Sequence, residues 1–118
     1  MRVIICGDRH WDNYSLIANY VKTLPIGSVI IQGECRGADK MARNAGFHYG
    51  YEVLSFPAKW EEHGDAAGPI RNRQMIKEGG PIDLVVAFHD HIDMSRGTRD
   101  MLKAAKQAGI PTELRTSR

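Results

Sequence analysis

Apolar residues along the chain alternate between two patterns. Continuous short runs rich in β-branched side chains occur at residues 2–6 (RVIIC), 28–32 (SVIIQ), 51–56 (YEVLSF) and 83–88 (DLVVAF), with a weaker run at 111–115 (PTELR). Runs of this length suit parallel strands buried on both faces. Between them the apolar spacing becomes helical. Leu16, Ile17, Tyr20, Val21 and Leu24 form one stripe; Ala38, Met41, Ala42 and Ala45 form a second, closed by Gly46; Met101, Leu102, Ala105 and Ala108 form a third, closed by Gly109. A further helix is predicted to begin at Pro69, a residue favoured in a first turn, and to stop at Gly79-Gly80-Pro81. The longest piece without a clear period is 58–68. Strand and helix alternate throughout, so the expectation is one Rossmann-like α/β domain over 1–118, a three-layer sandwich around a mainly parallel five-stranded sheet.

In such a sheet ligands bind beyond the carboxyl ends of the strands, where loops meet helix N-termini with free N–H groups. Three strand exits carry Gly, Arg and Asp together. The first, GDRHWDN, offers Gly7 for a bend, Asp8 as acceptor and Arg9 as a forked donor, with Asp12 or Asn13 able to cap the helix. The second, GECRGAD, contains Gly33, Glu34, Arg36, Gly37 and Asp39. The fourth, HDHIDMSRGTRDM, contains Ser95, Arg96, Gly97 and Thr98 where the last helix opens. Arg71 and Asn72 fall where the Pro69 helix begins. No loop is a Walker loop or a G-x-G-x-x-G fingerprint. Their shared composition points to one ligand edge facing a phosphorylated or otherwise polar small molecule.

Plainer roles compete at each position. Gly33 and Gly37 suit either a ligand cradle or ordinary turns. Asp39 and Asp100 sit in helical first turns, where the macrodipole alone favours a carboxylate. Arg9, Arg36 and Arg71 suit anion contacts or structural ion pairs. His89 and His91, with Asp90 and Asp93, form an H-x-H pair without third and fourth ligands, so a solvated loop is favoured over a metal site. Trp11 and Trp60 are read as packing residues before base-stacking platforms. Cys35 has no His pattern to support a nucleophile.

Composition narrows the function without selecting it. Sixteen basic residues against 14 acidic ones give a net charge of +2, too little for a field that recruits nucleic acid or anionic membrane. No apolar stretch approaches the roughly 20 residues of a membrane span. With only Cys6 and Cys35 and no secretory leader, a reducing cytoplasm is expected. No cofactor and no metal are expected.

Six ordered blocks, GDRHW, QGECRGAD, FPAKW, AGPIRNRQMI, DLVVAF and SRGTRDM, span roughly 3–112. Together they resemble the SLOG superfamily, and within it the small YspA-like proteins of bacteria, phages and prophages. The resemblance implies a Rossmann-like fold and binding of nucleotides or nucleotide-derived molecules. It also brings in an enzyme branch, the Lonely Guy phosphoribohydrolases, which cleave the N-glycosidic bond of nucleoside 5′-monophosphates. Those carry an Arg four residues before a Met, matched by Arg71 and Met75, and a P-G-G-x-G-T-x-x-E motif whose G-T pair matches Gly97-Thr98. The P-G-G half is replaced by HDHIDMS, and the position of the catalytic Glu falls on Met101. The nearest carboxylate, Asp100, is one residue early, which turns it by roughly 100° on a helix. If the chain is an enzyme, the resemblance makes Asp100 and Arg71 its catalytic residues. It also implies a homodimer, since the related enzymes complete their sites near a helical subunit interface. A DNA-binding DprA-like branch exists, but no basic stripe accompanies it here.

Overall fold

Every apolar run becomes a strand of one parallel sheet. The computed structural model describes residues 1–117. Its strands are β1 (Arg2–Gly7), β2 (Val29–Gln32), β3 (Glu52–Ser55), β4 (Leu84–Phe88) and β5 (Thr112–Arg115). Its α-helices are α1 (Tyr14–Lys22), α2 (Ala38–His48), α3 (Trp60–His63), α4 (Ala67–Gly79) and α5 (Arg96–Gln107), with 3₁₀ turns at Gly64–Ala66 and Ile92–Met94. The strand order is β3-β2-β1-β4-β5, and every pairing is parallel.

Alternation along β1 explains the three layers. Val3 and Ile5 point to one face and pack with Ile17, Val21, Ala38, Ala42 and Phe88 under α1 and α2. Ile4 and Cys6 point to the other and pack with Ile31, Met75, Val85, Met101 and Ala105 under α4 and α5. Small residues face the sheet along α2. A Cβ on Gly46 would meet Val53 Cγ2 at 2.7 Å, so this glycine sets how closely the helix approaches.

The structure departs from the sequence reading at two places. Helix α4 begins at Ala67 rather than Pro69, and the aperiodic stretch before it holds α3 and a 3₁₀ turn. A helix of one turn is too short to display a period. Strands β3 and β5 lie at the sheet edges, so their side chains are mostly half-buried or exposed rather than enclosed.

Candidate functional site

Strand order reverses between β1 and β4. The chain leaves β1 toward α1 on one face and leaves β4 toward α5 on the other, so the two loops diverge and open a crevice, the usual place for a ligand in a doubly wound sheet. The β1–β4 register runs from Val3↔Leu84 to Gly7↔Phe88, so both strands end level. A cavity of about 780 Å³ opens there. Gly7, Asp8 and Arg9 line it from the β1 exit; Cys35 and Asp39 from the β2 exit; Trp60, Arg71, Asn72 and Met75 from the α3–α4 side; His89, Met94, Ser95, Arg96, Gly97, Thr98 and Met101 from the β4 exit.

Backbone contacts shape the β1 exit. Asp8 N donates to Phe88 O at 2.9 Å, and Asp8 O accepts from Trp11 N and Ala38 N, each at 3.1 Å. The Asp8 carboxylate accepts from His10 N at 2.9 Å. Gly37 makes this closeness possible: its φ is 77°, and a Cβ there would overlap Asp8 O and come within 2.6 Å of the Arg9 carbonyl carbon. Gly37 does not line the cavity. Its glycine serves loop-on-loop packing instead of a ligand cradle.

The β2 exit is held from inside. Asp39 is buried and accepts from Gly33 N at 3.2 Å and Cys35 N at 3.3 Å. Arg71, 8% exposed, donates from Nη1 to Gly33 O at 2.6 Å and from Nε to Asn72 Oδ1 at 3.0 Å. Its Nη2 approaches Cys35 Sγ at 3.7 Å. Gly33 has no side chain because a Cβ would overlap the Arg71 guanidinium. Gly33 itself does not line the cavity. Burial pushes the Asp39 carboxyl up to about 6, although the Arg71 charge and the Cys35 and Gly33 N–H groups favour its ionised form. Burial likewise pushes the Cys6 thiol far up, with the Asp39 charge adding to it. Held protonated in this way, Cys6 is a poor nucleophile.

These contacts correct the sequence reading of Arg71. It is the fifth residue of α4, beyond the first turn, and its guanidinium is spent largely on the β2 exit while one edge reaches the cavity wall. Glu34 and Arg36 also fall away from the cavity. Glu34 has a positive φ of 62° and pairs with Arg43 at 2.6 Å, while Gln32 Nε2 donates to it at 3.2 Å. Burial alone would raise its carboxyl. Hydrogen bonds from Ser55 and Gln32 and the Arg43 charge outweigh that and hold it below the usual range. Arg36 is exposed.

At the β4 exit Ser95 caps α5, its Oγ accepting from Thr98 N at 3.1 Å. Asp100 does not line the cavity. Its carboxylate accepts from Arg73 Nη1 at 2.8 Å and Nη2 at 3.1 Å, and from Asn72 Nδ2 at 3.0 Å. Burial acts to raise its pKa, but the bonds from Arg73 and Asn72 prevail and hold the carboxyl below its ordinary value. Asp100 therefore ties α5 to α4. The position one residue on, Met101, is buried and contributes only a thioether to the cavity wall.

Three lining residues were assigned otherwise from sequence or not singled out. Trp60, read as a packing residue, is 54% exposed beside the cavity with its ring edge against Gly68. Trp11 does pack, edge-on to Phe88 at 5.6 Å. Met94 is 85% exposed at the rim. His89, read as part of a solvated loop, is buried, and its Nδ1 accepts from His91 N at 2.9 Å. Its place directly after β4 was the available signal. Among the described residues no group of three or more His, Cys, Asp or Glu is disposed to hold a metal ion. None of the described helices is long and apolar enough to cross a membrane.

Comparison with known proteins agrees with this architecture. A family model described as YspA, cpYpsA-related SLOG matches residues 1–63, more than half of the chain. The Gene 61 protein of Mycobacterium phage D29 is similar at 36% identity over 121 residues, covering 93% of this chain and 92% of the phage protein. The parallel sheet, the glycine-bearing strand exits and the family match over β1 to α3 lead to one assignment: the chain belongs to the YspA, cpYpsA-related SLOG family.

Proposed function

We propose that the chain binds a nucleotide or nucleotide-derived signalling molecule non-covalently at the β1–β4 crevice, acting as a sensor or, in a phage setting, as a sequestering protein. One observation carries this reading. Arg9 and Arg96 stand exposed on the two diverging loops of the cavity, and neither forms an ion pair among the described residues. Two free guanidinium groups on one cavity, Arg96 in the first turn of α5 and Arg9 on the β1 exit, suit an anionic ligand. Trp60 and Met94 supply an apolar rim for a flat base. The volume lies within the roughly 300–1,000 Å³ typical of small-molecule pockets.

Binding is preferred over phosphoribohydrolase-like cleavage because Asp100, the carboxylate nearest the enzyme motif, is committed to Arg73 and Asn72 and does not itself line the cavity. The net charge of +2 favours a small ligand over nucleic acid. A homodimer belongs to the same reading, and sedimentation as a concentration-independent monomer would remove it. Native mass spectrometry of the purified protein should show a co-purified nucleotide. Calorimetry with a nucleotide panel, paired with chromatography for released base, should show saturable binding without turnover. Base release at a steady rate would reverse the preference.

A further inference from the structure

We propose that His89 is a specificity-determining residue of this site, donating a hydrogen bond from Nε2 to an acceptor oxygen of the bound ligand. His89 directly follows β4 at the point where strand order reverses, and it is 7% exposed. A buried imidazole needs partners for both ring nitrogens. Nδ1 has one, since it accepts from His91 N at 2.9 Å. Nε2 has none among the described residues, yet no buried side-chain nitrogen or oxygen is left without a partner. The remaining ring nitrogen is thus not sealed in the core. His89 lines the cavity, so its open edge faces the ligand space.

The Nδ1 bond selects the tautomer. An acceptor at Nδ1 places the proton of the neutral ring on Nε2, and the cavity receives a donor. Protonating Nδ1 would set its N–H against that of His91. His89 therefore offers a neutral N–H that matches a phosphate, ribose or carbonyl oxygen and rejects an amine or other donor at the same point. Its main-chain N–H donates to Arg115 O at 3.0 Å, which fixes the ring's origin against β5.

This inference rests on the binding reading above and extends it to a contact. The test measures calorimetric affinities of the parent, His89→Leu and His89→Gln for mononucleotides, their nucleosides and ribose 5-phosphate, with circular dichroism confirming the fold. Leu fills the ring's space without a donor, and should weaken the preferred mononucleotide about 10-fold or more. Gln keeps an N–H near the same place and should stay within about 3-fold of the parent. A loss shared by mononucleotides and ribose 5-phosphate but absent from nucleosides assigns the acceptor to phosphate, whereas a loss shared by nucleosides assigns it to sugar or base. A folded His89→Leu protein that binds as tightly as the parent overturns the inference and leaves the binding function intact. A parent protein that binds nothing in the panel overturns both. Long-range ¹⁵N–¹H spectra of the free protein should show His89 protonated at Nε2, and protonation at Nδ1 instead overturns the inference alone.

Discussion

Arg71 shows how a residue that resembles a ligand contact becomes a framework contact. It holds the Gly33 carbonyl, backs Cys35 and lies near the Asp39 charge while almost wholly buried. Removing it leaves a buried carbonyl unpaired and Asp39 without its neighbouring cation. We expect Arg71→Ala to cost about 3 kcal/mol of stability, lowering Tm by roughly 10 °C. Urea denaturation measures it, and unchanged stability with weakened nucleotide binding would return Arg71 to the ligand. Asp39 makes a second prediction, through pH. Its folded value of about 6 lies above the ordinary value of 3.8, so the native state holds the proton more tightly than the unfolded chain. Its contribution is present below about pH 4 and is lost as pH rises through about 6, on the order of 2–3 kcal/mol in total. Glu34 and Asp100 have lowered values and act in the opposite sense, losing their contributions as pH falls. Comparison with Asp39→Asn, which does not titrate, isolates the first effect: the parent should lose stability relative to the variant as pH rises from 4 to 6. A difference that is flat with pH would mean that Asp39 does not titrate in this window.

At the scale of elements, the start of α5 has to serve both the helix and the cavity. Ser95 satisfies the Thr98 N–H, while Arg96 and Gly97 remain at the cavity wall. Ser95→Ala should cost about 1 kcal/mol through loss of the cap. If the stability measured by denaturation does not move, the cap is not holding the helix. The α4–α5 contact includes the Asp100 pair with Arg73, whose side chain is 47% exposed. Solvent screening keeps that pair weak, so Asp100→Asn should cost no more than about 1 kcal/mol and leave nucleotide affinity unchanged. A change in turnover with Asp100→Asn, followed by chromatography of released base, would instead favour the hydrolase reading.

For the whole molecule, ligand occupancy should be visible in intrinsic fluorescence, because the two tryptophans lie in different surroundings. Trp11 is locked in the core beside Phe88, whereas Trp60 is half-exposed at the cavity. Nucleotide binding should alter emission in the parent protein, and Trp60→Phe should abolish most of that change. A ligand-induced change that survives Trp60→Phe would move the binding site away from the α3–α4 side. The assembled sheet makes this geometry possible: the β1–β4 crevice collects residues from positions 6 to 101, and no local segment contains the site.

The alternation of apolar runs with helical stripes determined the sheet, the helices on both faces and the edge at which the loops gather, because burial pattern is a local property that each segment carries by itself. Arg9 was legible as a polar residue just after β1, and Arg96 and Thr98 as polar residues where the last helix opens; all three line the cavity. The partners of Arg71 and Asp100 were not legible, since hydrogen bonds across 38 and 28 residues of chain form only after β2, α4 and α5 have packed. Gly33 and Gly37 could be seen as glycines, but their reason, a guanidinium in one case and a neighbouring loop in the other, lies in segments far away in sequence. Tertiary structure alone decided that Trp60 lines the cavity, that Asp100 does not, and that His89 is buried at its wall. Each outcome depends on which side of a helix or loop meets a surface built by another part of the chain.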